Sequence, residues 1–237
     1  MTGSIQEIIE SYDAKLFLAE ASTPPSSWYT DQQILNLEKR TVFTGSWQLA
    51  GRADQVRGAG HYVTAEIAGE PLLVIRGKDG VLRGFFNVCR HHAATVMTQP
   101  KGKAEYLRCP YHGWTYDLQG ALIQPPEFGG VQNFDRAAHG LIPVQASEWQ
   151  GWVFVRLDAA GPSLQSFLGG NLLDRFELLN LEQFHGFQRR RYSLNCNWKV
   201  FVDNYLDGGY HVPHIHADLN TVLDSGKYEI ETGQRFC

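Results

Sequence analysis

Two groups of potential metal donors stand about a hundred residues apart. DNYLDGGYHVPHIH, residues 203–216, packs three histidines into six positions, after a run of helical periodicity that breaks at Gly208 and Gly209. Upstream, CRHH (Cys89–His92) and CPYHGW (Cys109–Trp114) supply the pairs Cys89-x-His91 and Cys109-x-x-His112, with 17 residues between His91 and Cys109. Each upstream pair directly follows a predicted strand, so both fall on loops that can face one another. Thiolates and imidazoles in this mixture suit a soft or borderline metal.

Three readings compete for the upstream pairs. Core cysteines beside surface histidines would do no chemistry, but the repeated pairing argues against coincidence. A structural zinc site takes two Cys and two His. A Rieske [2Fe–2S] cluster takes the same donors and divides them, two Cys on one iron and two His on the other.

The downstream histidines pose a geometric problem. On a regular helix His211 and His216 diverge by about 140°, because each residue turns about 100°. Gly208, Gly209 and Pro213 interrupt the helix, since Gly adopts unusual dihedrals and Pro lacks a backbone donor. That irregularity lets the two imidazoles approach one another. His214, three after His211, is the rival if that turn stays helical.

Elements must position these groups. Residues 1–41 read as a helical segment: one helix, the loop STPPSS, and a second helix from Asp31 to Arg40 with Asp31 as N-cap. Residues 42–158 read as an all-β antiparallel domain. HYVTAEIAG, PLLVIRG and VLRGFFNV are joined by turns at Gly69-Glu70 and Lys78-Asp79-Gly80; WTYDL and ALI flank Gln119-Gly120, and WVFVRLD closes the domain. AAGPSLQSFLGG reads as a domain edge. Residues 159–237 then carry a helix (LLDRFELLNLEQF), a strand (RRRYSLNCNW) and a second helix. In that helix Trp198, Phe201, Val202, Tyr205 and Leu206 share one apolar face. YEIETGQRF reads as a strand entering a further sheet.

Composition narrows the function classes. The 237 residues are 43% hydrophobic and 19% charged with a net charge of −4, as in a globular protein without the basic excess that nucleic acid requires. No apolar run is long enough to span a membrane. The N-terminus lacks the features of a secretory or transit signal, so the cytoplasm is the expectation. In a reducing compartment the four cysteines (Cys89, Cys109, Cys196, Cys237) favour metal binding or burial over disulfides.

CRHHA followed by CPYHGWTYD resembles the cluster-binding loops of Rieske non-haem iron oxygenases. The resemblance implies a Rieske [2Fe–2S] cluster with Cys89 and Cys109 on the buried iron and His91 and His112 on the outer one. It implies an α+β fold: an all-β antiparallel Rieske domain, then the N-terminal part of an α+β catalytic domain. NWKVFVDNYLDGGYHVPHIH resembles that family's mononuclear Fe(II) helix, with Asn204, Asp207, His211 and His216 in the corresponding places. By this resemblance His211 and His216 hold iron, and His214 is secondary. The resemblance also implies that Asp207 carries the electron between a Rieske histidine and an iron-bound histidine, although it stands four residues before His211 where many members have three. Asp203 reads as structural.

DNYLDGGYHVP, with GVQNF and GLIPV, is similar to choline monooxygenase and its close relatives, from Trp28 to about Leu223. What this implies is O₂-dependent hydroxylation of a small quaternary ammonium compound, with choline giving betaine aldehyde hydrate. Electrons would come from NAD(P)H through a reductase or ferredoxin, and the subunits would form a homo-oligomer, a trimer by analogy. The family's third iron ligand is a downstream carboxylate; Asp218, Asp224, Glu229 and Glu231 do not match it, so the chain reads as C-terminally truncated. The alternatives are an electron-transfer-only Rieske protein, an inactive homologue, and an oxygenase acting on another amine or an aromatic substrate.

Overall fold

The computed structural model describes residues 4–17, 19–207, 209–223, 227, 229–233 and 236. Gly208, Asp224, Tyr228 and Cys237, each used in the sequence reading, lie outside the described residues. Two compact units are present, Glu38–Arg189 on one hand and Met1–Leu37 with Arg190–Cys237 on the other.

The chain begins with α1 (Ile5–Glu10), closed by a reciprocal cap in which Ser4 Oγ accepts from Glu7 N and Ser4 N donates to the Glu7 carboxylate. After α2 (Ser27–Thr30) comes α3 (Gln32–Glu38), where the Asp31 carboxylate accepts the Gln33 N–H at 2.8 Å, as its expected capping role requires. The helix runs past the expected end at Arg40 as a π-helical turn, Lys39–Phe43.

Ten strands follow: β1 (Gln48–Arg52), β2 (His61–Ile67), β3 (Glu70–Arg76), β4 (Leu82–Phe86), β5 (Lys101–Lys103), β6 (Leu107–Arg108), β7 (Thr115–Tyr116), β8 (Leu122–Gln124), β9 (Pro143–Trp149) and β10 (Trp152–Arg156). Seven form one antiparallel sheet in the order β1-β10-β9-β4-β3-β2-β5, and β6-β7-β8 form a second. The pattern of short antiparallel hairpins is the one the sequence predicts. The first turn falls one residue earlier than expected, because Ile67 pairs with Glu70 and leaves Ala68-Gly69 as the two-residue loop. Both loop residues take positive φ (58° and 91°), the backbone twist that suits a two-residue hairpin.

β3 is the centre of the packing. Its side chains alternate between two cores, as the period of a strand dictates. Leu73 and Ile75 join Tyr62, Phe85, Leu107 and the two upstream cysteines, while Leu72 and Val74 join Val63, Val144, Val153 and Val155. A strand buried on both faces reads as the continuous apolar run Leu72–Ile75.

Beyond β10 come α4 (Leu164–Leu168) and α5 (Gly170–Glu177). The expected helix over LLDRFELLNLEQF stops at Glu177, and Asn180 takes a left-handed conformation (φ 48°) before a single 3₁₀ turn. RRRYSLNCNW forms no strand: residues 189–194 are unassigned, a bend follows, and the stretch 189–196 is exposed. The sequence has strand-like alternation, but a strand also needs a neighbour for its N–H and C=O groups, and neither sheet includes this stretch. α6 (Trp198–Leu206), α7 (Val212–Ile215) and α8 (Ala217–Asn220) follow. The apolar face expected on α6 forms but is not buried; Phe201, Tyr205 and Leu206 are exposed. No helix among the described residues is long and apolar enough to cross a membrane.

Candidate metal centres

The two upstream pairs occupy hairpin tips built on one backbone frame. In the first, Cys89 N donates to Ala94 O (2.8 Å) and Ala93 N donates back to Cys89 O (3.0 Å). In the second, Cys109 N donates to Trp114 O (2.8 Å) and Gly113 N to Cys109 O (3.0 Å). The residue four after each cysteine is left-handed in both, Ala93 at φ 58° and Gly113 at φ 72°. Below the loops, Leu107 and Arg108 pair with Tyr116 and Thr115, and a bridge joins Val88 to Thr95. Buried Asn87 locks the first loop from both sides, accepting the Met97 N–H and donating to Met97 O at 2.8 Å each.

This frame sorts the donors by depth. Cys89 and Cys109 are buried in the core shared with Leu73 and Ile75, while His91 and His112 stand exposed at the tips with ring centroids 4.8 Å apart. His91 lies flat on Trp114 (4.9 Å, 8°), and Trp114 is wedged against Phe128 and Phe134. An open hollow of ≈ 800 Å³ borders His91, His112, Arg108 and Glu127.

The electrostatics match the division. Burial pushes the Cys109 thiol up, and the Tyr111 and His112 N–H groups oppose that by favouring the thiolate. Partial desolvation, with the charges of His92 and His112 behind it, holds His91 below its ordinary value and so keeps it neutral, the form that binds metal. Tyr116, fully buried, places its hydroxyl 3.3 Å from Cys89 Sγ and accepts the Arg90 N–H at 3.0 Å. Burial raises the phenol above its usual value, so it stays a donor, and with its oxygen taken by Arg90 its proton is free for the sulfur. Two buried thiols beneath two exposed imidazoles fit a two-iron cluster that spans both depths. A single ion held by the rim imidazoles alone would leave the thiols unused.

Sequence reasoning missed two residues here. Tyr116 was legible only as a strand residue two after Trp114. His92 forms a close group with His91 and His112, their ligand atoms all within 4.8 Å of one another, and its signal was the doubled histidine of CRHH.

The downstream group is built differently. Asn197 caps α6 by accepting the Lys199 N–H, and Asp207 ends the helix. The Asp207 carboxylate accepts from Gly209 N (2.8 Å) and pairs with His211 Nδ1 (2.5 Å). The hydrogen bond from His211 holds the Asp207 carboxyl below the usual range. His211 precedes α7 and His216 follows it; the backbone leaves helical geometry at His216 (φ −117°, ψ 66°). The break brings the His211 and His216 rings to 5.2 Å, edge to face. Both rings border an open hollow of ≈ 820 Å³ with Asn204, Tyr205, Tyr210 and His214. Asp203, expected to be structural, accepts the Tyr29 hydroxyl at 2.7 Å.

Comparison with known proteins agrees with this layout. Residues 46–135 match the Rieske [2Fe-2S] domain, and residues 181–236 match the ring hydroxylating alpha subunit (catalytic domain). The chain thus carries a Rieske [2Fe-2S] domain, within which both hairpin tips fall, followed by a segment of ring-hydroxylating alpha-subunit type. It is homologous to the oxygenase subunits of choline and carnitine monooxygenases. It is 37% identical to the chloroplastic choline monooxygenase of Arabidopsis thaliana over 94% of this chain and 55% of that protein. It is 36% identical to the carnitine monooxygenase oxygenase subunit of Escherichia coli K12 over 88% of this chain and 56% of that one. A solved quaternary ammonium Rieske monooxygenase, described in terms of carnitine oxidation and inter-subunit electron transfer, superposes with a TM-score of 0.76 at 31% identity, covering 81% of this chain and 53% of that one. The chain spans about half the length of the curated relatives it matches.

Proposed function

We propose that this chain supplies the electron-relay and iron-binding portions of a Rieske non-haem iron monooxygenase that hydroxylates a small quaternary ammonium compound, with choline the leading substrate. The observation that carries the reading is the pairing, in one chain, of the Cys₂His₂ hairpin tips with the Asp207–His211–His216 group. Relatives named for choline, carnitine and glycine betaine point to the substrate class.

Cys89 and Cys109 would hold the inner iron of the cluster, and His91 and His112 the outer one. His211 and His216 would hold the mononuclear iron, with a carboxylate completing a facial triad. When bound, the cluster would supply single-electron transfer and the mononuclear iron O₂ activation. The protein's own groups set the conditions. Tyr116 and the N–H groups of Tyr111 and His112 place hydrogen-bond donors at the sulfurs, which favours the more negative, reduced state. Asp207 holds the proton on His211 Nδ1, so that Nε2 is the nitrogen offered to metal. Asn204 borders the same hollow. Exposed His91 and His112 let a reductase or ferredoxin deliver electrons originating in NAD(P)H. The Asp207 carboxylate links the electron path to His211 in a homo-oligomer, a trimer by family analogy. For choline, one oxygen atom of O₂ enters the carbinol carbon and the other leaves as water. Two electrons and two protons balance the step, and the hydrate product collapses to betaine aldehyde.

Iron and sulfide analysis with a visible spectrum tests the first half, and substrate-dependent O₂ uptake by the full-length protein with a reductase tests the second. We expect two cluster irons, two sulfides and one further iron per chain, with O₂ uptake on choline. Uptake on carnitine or glycine betaine but not choline would move the substrate within the class. Iron without any such uptake would refute the activity.

A further inference from the structure

The two cluster loops superimpose in register, and that register assigns a task to His92. Counting from each cysteine, the hydrogen-bonded frames are identical: the N–H at the first position reaches the carbonyl five residues on, and the N–H four residues on returns to the cysteine carbonyl. Both frames turn left-handed at that same fourth residue after the cysteine. The ligating histidines do not occupy the same slot in this frame. His91 stands two after Cys89, whereas His112 stands three after Cys109. The slot of His112 is filled in the first loop by His92, and the slot of His91 is filled in the second loop by Tyr111.

We propose that His92 is a reserve ligand of the outer cluster iron, able to replace His91 because it occupies in the first loop the position from which His112 binds in the second. The inference rests on the Rieske assignment of the loops and goes beyond it, since the assignment uses two imidazoles and the site holds three. The rings lie close enough for exchange without refolding the loop. His92 is 4.0 Å from His91 and 5.4 Å from His112 between ring centroids, and the three imidazoles offer nitrogens within 4.8 Å of one another. All three are exposed at the loop tips. The second loop has no such reserve. Tyr111 packs its ring on His112 (3.8 Å) but carries no nitrogen donor.

The asymmetry makes the proposal testable on this chain by iron and sulfide content, visible absorption and EPR. His91→Ala should retain a [2Fe–2S] cluster with shifted bands and g-values, and His91→Ala/His92→Ala should lose it, by tenfold or more in bound sulfide. His112→Ala alone should lose the cluster, and Tyr111→His/His112→Ala should recover it by placing an imidazole in the slot that His91 uses. A His91→Ala protein as empty as the double variant would overturn the proposal. So would loss of the cluster in His92→Ala alone, because His92 would then be a resident ligand. Cys109→Ala tests the underlying Rieske assignment separately, since no reserve thiol stands in either loop.

Discussion

The cluster loops and the His211–His216 turn are two solutions to holding imidazoles near a metal. The loops rise from paired strands over a core that contains the cysteines themselves, and their shape is fixed by four backbone hydrogen bonds and a buried asparagine. The turn is held by local chemistry: a capped helix, a carboxylate on an imidazole, and a break after four helical residues. α6 buries none of its residues. The difference teaches that the proposed cluster ligands are positioned by the fold, whereas the proposed downstream ligands are positioned by their immediate neighbours. Metal should therefore matter more to order in the second region than in the first.

The sharpest way to break this contrast is Cys109→Ala. It should abolish the visible bands of the cluster while leaving the mononuclear iron and the far-UV circular dichroism of the sheet domain in place. If the sheet unfolded with the cluster, the loops would depend on metal as much as the turn does. A smaller effect is expected from Tyr116→Phe, which removes only the hydroxyl at Cys89 Sγ. One hydrogen bond of about 1 kcal/mol at a one-electron couple corresponds to a potential lowered by about 40 mV. Redox titration followed by EPR measures it, and an unchanged potential would remove Tyr116 from the tuning of the cluster. The smallest effect lies away from both sites. Hydrogen bonds from Arg83 hold the exposed Asp79 carboxyl down to about 2. Its folded value is depressed, so its contribution to stability is present above the ordinary carboxylate value and fades as pH falls toward 2. Proton NMR of Asp79 should give that midpoint, and Arg83→Ala should return it toward the usual range. The contribution is slight because the pair is solvated.

Much of the upstream region was legible because its signals are local. A cysteine and a histidine two or three apart, directly after an alternating strand, mark a hairpin tip, and Gly113 marks where the second loop must turn left-handed. Ala93 takes the same conformation in the first loop and gives no such signal, since nothing about alanine demands a positive φ. The strands β1, β5 and β9 were harder to read. Lys101–Lys103 is exposed throughout, and Gln48–Arg52 contains a glycine and only one large apolar residue. RRRYSLNCNW shows the opposite failure, where propensity is present and the partner is not. An interruption of the helix was expected from Pro213 and the glycines, but its place at His216 and the Asp207–His211 contact depend on local dihedrals and rotamers that spacing does not reveal.

The placement of β3 carries one more consequence. A beam that bears on two rooms cannot be loosened from one side only, and Leu72 and Val74 brace the far room while Leu73 and Ile75 brace the one with the cysteines. Heat or denaturant that opens the far side therefore opens the cluster to solvent in the same event. The colour of the iron–sulfur centre becomes a gauge for the whole sheet, and its bleaching marks the temperature at which the unit as a whole gives way.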